Sequence, residues 1–297
     1  MARTGKILLR AVTPLVAAGA ICAFAAAAPD GEAYRASVGK WRAAYQADLT
    51  SDHGWLSVSG LFWLHDGENS FGSNPLDDMV LPAPVPGNAG SFEFHNGKTI
   101  VHVKPGIDAT MHGAPVTTAE MRPDASDQLV MGDLTLYVHA SGERYAIRMK
   151  DKNSKLRKDF TGLHWFPIDP TYRVVGHFVP YPTPKTVMIE NVMGDVGPEQ
   201  ITGYVEFTLK GQKLRLESEL DGSDFEFVFR DLTSGHETYG AARFLDTELA
   251  KDGSVVMDFN EAYNPPCAYN PYTTCPLPPP ENRLAIRIEA GEKAYHH

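Results

Sequence analysis

The chain has 297 residues, 43% of them hydrophobic, with 27 Lys and Arg against 37 Asp and Glu, a formal net charge of −10. An acidic surface repels phosphates, which excludes nucleic acid and anionic lipid surfaces as expected partners. The length supports a large core and exceeds the usual single-domain size, so two domains are expected.

Arg3, Lys6 and Arg10 precede an apolar run from Ala11 to Phe24 that ends in Ala25 to Ala28 before Pro29. A basic start, a short apolar centre and a small-residue exit read as a secretory signal peptide over residues 1–28. The mature chain is then exported, periplasmic or extracellular, and loss of three cations takes its net charge to −13. Cys22 lies within the apolar run, but Ile21 stands where a lipoprotein signal wants a small residue. Nothing after the leader approaches the roughly 18 apolar residues of a spanning helix, so no transmembrane segment is expected.

In residues 29–53, Tyr34, Val38, Trp41, Tyr45 and Leu49 recur at helical spacing, which predicts one amphipathic helix from Glu32 to Leu49. Residues 54–150 hold short runs bounded by Gly, Pro, Asn and Asp, among them Trp55 to Trp63, Gly90 to Phe94, Thr99 to Val103, Leu129 to Val138 and Tyr145 to Met149. That spacing predicts a β-sandwich. The order of its cues, residues 67–73, 77–81, 112–116 and 129–133, resembles the layout of forkhead-associated domains. Such domains grip phosphothreonine with an Arg and a Ser and His pair. Here Ser73 follows Gly72 and residues 86–91 supply no such pair, so the fold is carried over and the phosphopeptide function is not.

Residues 151–171 connect the halves. Their aromatic centre, His164-Trp165-Phe166-Pro167-Ile168-Asp169, predicts packing against a domain rather than a free linker. Lys150, Lys152, Lys155, Arg157 and Lys158 read either as a solvated basic loop or as a site for an anionic ligand. Residues 172–297 carry eight candidate strands: Arg173 to Val179, Thr186 to Asn191, Gln200 to Lys210, Lys213 to Leu220, Phe225 to Leu232, Tyr239 to Leu249, Ser254 to Phe259 and Leu284 to Glu289. Their short turns predict an antiparallel, barrel-like domain. Phe225, Phe227 and Phe229 face its interior, with Glu226 and Arg230 outside. The overall expectation is a mainly β protein, a helix and sandwich followed by an eight-stranded barrel-like domain.

The run from Asp258 to Arg283, rich in Pro, Asn and Tyr around Cys267 and Cys275, predicts a rigid, structured loop, and such loops often carry function. In an exported chain the two cysteines are expected to form a disulfide, with a redox or metal role as the weaker alternative. Gly60 to Leu64, Gly67-Glu68-Asn69, Phe71-Gly72-Ser73, Phe166 to Asp169, Thr238-Tyr239-Gly240, Arg243-Phe244 and the run from Asp258 to Glu292 together resemble the secreted prokaryotic family named domain of unknown function 1684. Ala241-Ala242 departs from that family's glycine. The resemblance implies export and no assigned activity.

The expected function is binding of a small molecule or envelope component at the barrel mouth and the Pro-rich loop. The candidate residues are His164, Trp165, Asp169, Tyr239, Arg243, Asp258, Asn260, Tyr263, Asn264, Glu281, Asn282 and Arg283. One alternative is a hydrolase in which two of Asp169, Asp258, Glu261 and Glu281 supply acid and base with His164 or Tyr239. Against it, Asp258 serves equally as a partner of Arg243 or Arg283. The other alternative is an envelope scaffold for protein partners. Ser234-Gly235-His236 sits in a turn outside any nucleophile elbow. His95, His102, His164 and His177 lack helix-face ligand spacing, so neither metal nor cofactor is expected. The oligomeric state is left open.

Overall fold

The computed structural model describes residues 31–295; the expected leader and His296-His297 lie outside them. The predicted helix is α1 (Gly31–Leu49), which buries Tyr34, Val38 and Leu49. Eleven strands follow: β1 (Val58–Trp63), β2 (Gly67–Gly72), β3 (Met79–Val80), β4 (Gly90–His95), β5 (Lys98–Val103), β6 (Thr110–Met111), β7 (Ala114–Pro115), β8 (Thr118–Met121), β9 (Asp124–Met131), β10 (Leu134–Ser141) and β11 (Arg144–Asp151). They form a six-stranded sheet in the order β1-β11-β10-β9-β6-β7 and a five-stranded sheet in the order β3-β2-β4-β5-β8. Alternation sends Phe71 and Phe92 from one sheet and Leu129, Leu136 and Ile147 from the other into a shared core. Each large apolar side chain so buried contributes roughly 1.5–3 kcal/mol.

A four-residue helix, α2 (Lys155–Lys158), leads into the second half. The basic run is tied up there in local structure: Arg157 pairs with Asp52 at 2.6 Å and Lys150 donates to the His53 carbonyl at 2.6 Å. The remaining strands are β12 (Arg173–Glu190), β13 (Val196–Leu209), β14 (Gln212–Ser218), β15 (Asp224–Phe229), β16 (Arg243–Glu248) and β17 (Ser254–Asp258). β12 fuses two predicted strands. The prolines at 180, 182 and 184, which cannot donate to a ladder, shift its register against β13 between Pro180 and Lys185 instead of ending it.

The second half makes a four-stranded sheet, β14-β13-β12-β17, and a β15-β16 pair. Val205, Phe207, Leu216 and Met257 from the first pack against Phe225, Phe227, Phe229 and Leu245 from the second. A single bridge, Leu249 to Val255, links β16 to β17, and no ladder closes a barrel among the described residues. The eighth predicted strand is irregular. Leu284, Ile286 and Ile288 are buried as their alternation implies, but the segment runs parallel to residues 230–232, with Leu284 donating to the Arg230 carbonyl and Leu232 to that of Ile286. Alternation reports which side chains are buried; a ladder needs a neighbour in register as well.

α1 meets the four-stranded sheet only at its rim, through Asp258 at the end of β17 and Arg173 at the start of β12. It rests on the C-terminal segment: Tyr34 donates to Asp258 at 2.8 Å, Arg42 to the carbonyl of Asn260 at 3.0 Å, and Tyr45 to the carbonyl of Asn264 at 3.2 Å. The same segment reaches the first sandwich, where Asn270 donates to the carbonyls of Trp55 and Val58. On the far side, Arg144 and Ser141 of the β10–β11 hairpin hold Asp195 at 2.6 and 2.8 Å. Helix, sandwich, sheets and loop are thereby tied together.

Candidate functional site

The β15–β16 hairpin sends its phenylalanines inward, and the same register sets Glu226 directly opposite Asp246 on the other face. Opposed side chains on one face of an antiparallel pair start about 4.5–5.5 Å apart, and like charges there destabilise each other. The pair forms the boundary between two cavities, of about 620 and 690 Å³, and lines both. The larger is walled by further acids, including Glu199, Glu217, Glu219, Asp221, Asp224 and Glu248. The smaller is aromatic.

Both carboxyls keep contact with solvent in the cavities, yet enough protein surrounds them to raise their affinity for protons. Desolvation pushes Glu226 up, and the Asp246 charge adds to it. Desolvation also pushes Asp246 up, opposed by the Tyr263 hydroxyl, which donates to its Oδ2 at 2.9 Å. Burial, then the charges of Asp246 and Glu226, hold the Tyr263 phenol firmly protonated. The arrangement is two carboxyls of unequal environment beside one fixed donor, in a cleft.

The aromatic wall comes from α1 and the loop. Trp41 and Tyr45, one helical turn apart, stack at 5.6 Å with nearly parallel rings. Tyr45 meets Tyr263 at 4.9 Å, and Phe244 stands edge-on to Tyr263 at 5.8 Å. Trp165 braces Trp41 and Tyr45 from behind at 6.0 and 6.2 Å, with the Arg42 guanidinium 4.6 Å from its ring.

The opposite wall of the smaller cavity carries Arg148 of β11, only 5% exposed. Its Nη2 donates to Thr274 Oγ1 at 3.4 Å, its guanidinium lies 5.6 Å from the Trp55 ring, and its buried Nε has no partner. No carboxylate lies within 4.0 Å of it among the described residues. Thr274 also bonds His139 Nε2 at 2.8 Å. Burial, then the Arg148 charge, pushes that imidazole down to about 4, so it is neutral at pH 7.

Of the residues expected at a site, Tyr263 lines the aromatic cavity and Trp165 supports it, while Asn282 lines the acid-walled cleft. Asn282 also clamps the backbone, accepting from the Glu217 amide at 2.7 Å and donating to the carbonyls of Glu217 and Val228. Others build the scaffold. Asp258 accepts from Tyr34 and from the Asn260 amide, and its basic neighbour is Arg173 at 3.5 Å rather than Arg243 or Arg283. Asn260 exchanges bonds with the Asp169 backbone at 2.9 Å, and Asp169 caps the turn at Pro170–Tyr172 through the Thr171 amide. Arg243 is fully buried against Asp231. Asn264 donates from its backbone to Glu292 and from its side chain to the Lys293 carbonyl. Tyr239 donates to the Cys267 carbonyl at 3.1 Å. His164 is exposed and its carbonyl accepts from the Lys293 amide, while Glu281 and Arg283 are exposed on either side of Asn282.

The structure does not show the expected disulfide; Cys267 and Cys275 are free in it. The Cys267 amide donates to Cys275 Sγ at 3.3 Å, so the loop is fixed by a hydrogen bond where a covalent bridge was expected. The bond to Cys267 lowers the Cys275 pKa, and that of Cys267 is raised in turn. Among the described residues no group of His, Cys, Asp and Glu is placed to hold a metal ion.

The sequence contained no signal for Arg148, Glu226 or Asp246 as a set. Each sits at a strand position where a charged residue ordinarily faces water, and only the register brings them to one cavity.

The family described as "Protein of unknown function (DUF1684)" matches residues 158–293. The chain belongs to that family. An uncharacterised protein of Haloarcula marismortui, solved in solution by NMR, is 32% identical over 46% of this chain and 78% of that one, with a TM-score of 0.39. The FhaA FHA domain, solved with the intracellular domain of a second protein, is 15% identical over 30% of this chain and 96% of its own, with a TM-score of 0.23. An FHA domain studied for phosphothreonine-dependent interactions has the same identity and TM-score and is covered over 92% of its length. No curated protein matches the chain.

Proposed function

We propose that this DUF1684 protein binds a small organic molecule in the aromatic cavity between α1, β11, the β15–β16 hairpin and the loop from Asp258 to Arg283. The observation that carries this reading is the cavity itself: about 620 Å³, within the usual range for small-molecule sites, with apolar rings on its walls and a few convergent polar groups. The basic, apolar, alanine-rich start of the chain supports export as the setting, so the ligand belongs to the envelope or the medium. The two cores support treating the sandwich and the later sheets as two domains that share one site.

The test is native mass spectrometry of the chain purified from its natural compartment, before and after unfolding, alongside Ala44→Trp, which fills the cavity from α1. A discrete mass present in the wild type, lost on unfolding and absent from Ala44→Trp, supports the reading. A bound mass indifferent to Ala44→Trp removes it.

A second reading, hydrolysis in the same cavity, is favoured by the Glu226–Asp246 pair. Their differing environments suit one as proton donor and the other as acceptor, with Tyr263 setting which. A hydrolase reading requires Asp246→Asn and Glu226→Gln to abolish turnover while bound ligand is retained.

A further inference from the structure

We infer that Arg148 receives the carboxylate of a small organic acid in the aromatic cavity; this deepens the binding reading above and rests on it. Arg148 is an unusual residue for a protein interior. A guanidinium taken out of water without a counter-charge is strongly unfavourable, and buried arginines are ordinarily matched by carboxylates. Arg148 is 5% exposed, lies on a cavity wall, has an unbonded Nε, and lacks a carboxylate within 4.0 Å among the described residues. Its side-chain partners are Thr274, through a long bond, and the Tyr137 hydroxyl, and neither carries a counter-charge. The guanidinium therefore faces the cavity as an uncompensated charge, suited to a charge-assisted bond with an incoming anion.

Charge balance selects the class of anion. His139 is neutral at pH 7, and the same cavity holds Asp48, Glu226 and Asp246. Arg148 can pair with one carboxylate, whereas a dianionic phosphate would bring a second charge toward the three acids. The rings of Trp41, Tyr45 and Phe244 provide contact for an apolar body, which an inorganic anion lacks. The carboxylate meets Arg148 and Thr274, and the body lies along the aromatic wall toward Tyr263.

The test is thermal unfolding of the full chain at fixed ionic strength with millimolar acetate, benzoate, phenylacetate or succinate, each paired with its neutral amide. At least one carboxylate should raise the melting temperature, and its amide should not. Arg148→Met should weaken that carboxylate about tenfold or more while folding at least as stably as the wild type without ligand. Arg148→Lys should retain part of the effect. Equal shifts for acid and amide, no shift with any carboxylate, or a shift that survives in Arg148→Met would each overturn the assignment. If native mass spectrometry finds a ligand that Arg148→Met holds as tightly as the wild type, the cavity reading stands and the carboxylate assignment falls.

Discussion

Arg243 and Asp231 form an ion pair with both side chains fully excluded from solvent, 2.5 Å from Nη1 to Oδ2. Arg243 also donates to the carbonyls of Ile288 and Ala290. One side chain therefore holds the hairpin region to the irregular C-terminal segment. Arg243→Met should lower stability by about 3–5 kcal/mol, because Asp231 is left buried and unpaired. Arg243→Met with Asp231→Asn should recover part of that loss. Urea unfolding of the three variants measures both, and additive losses would refute the pairing.

Gly291 lies beside this pair at φ +79, where an added Cβ would come within 2.4 Å of the Ala262 carbonyl and 2.9 Å of Arg243 Nη2. Gly291→Ala should therefore cost about 1–3 kcal/mol, from backbone strain and the clash together. A neutral result in urea unfolding would show that the segment relaxes freely.

Asp246→Asn removes one of two opposed acids. Above pH 7 it should leave stability equal or slightly higher, and occupancy of the cavity by a carboxylate should hold or rise. Melting temperature and bound mass measured on one preparation separate this from a structural role, in which both would drop.

Glu292 sets a pH dependence. Burial raises its pKa to about 7, against hydrogen bonds from the Asn264 amide and the Tyr269 hydroxyl. The folded state thus holds this proton more tightly than the unfolded chain. Its contribution is fully present below the ordinary glutamate range and is lost as pH rises through about 7. Stability should decline between about pH 4.5 and 7, by up to about 3 kcal/mol from this group. Glu261, also pushed up to about 7 by burial and then by Asp258, adds in the same direction. Glu292→Gln should flatten the slope in a stability series across that range; an unchanged slope would assign it elsewhere.

The thiol state is checked by unfolding the chain in N-ethylmaleimide and mapping its peptides. Both Cys267 and Cys275 should carry the adduct. A linked peptide would restore the disulfide expected from their spacing.

The fold was legible where one local period dominates. Tyr34, Val38, Trp41, Tyr45 and Leu49 marked α1, and Phe225, Phe227 and Phe229 marked the inner face of β15. It was illegible where proline bent a ladder without ending it, as in β12, and where buried alternation ran beside a neighbour with no ladder to join, as from Leu284 to Ile288. The loop was correctly marked as structured, and Tyr263 on it reaches the cavity. Several of its polar residues, Asp258, Asn260 and Asn264 among them, are committed to backbone and side-chain bonds that fix its path. Glu226, Asp246 and Arg148 gain significance from cross-strand register and tertiary approach, which no local pattern encodes.

The cavity draws its walls from both sides of the family boundary. Glu226, Phe244, Asp246, Tyr263 and Thr274 fall within the matched residues 158–293, whereas Trp41, Tyr45, His139 and Arg148 precede them. A fragment beginning at residue 158 would carry half a site. On the binding reading, a relative that kept the acid pair but differed before residue 158 would set other chemistry opposite it, so ligand preference would diverge where the family signature does not look.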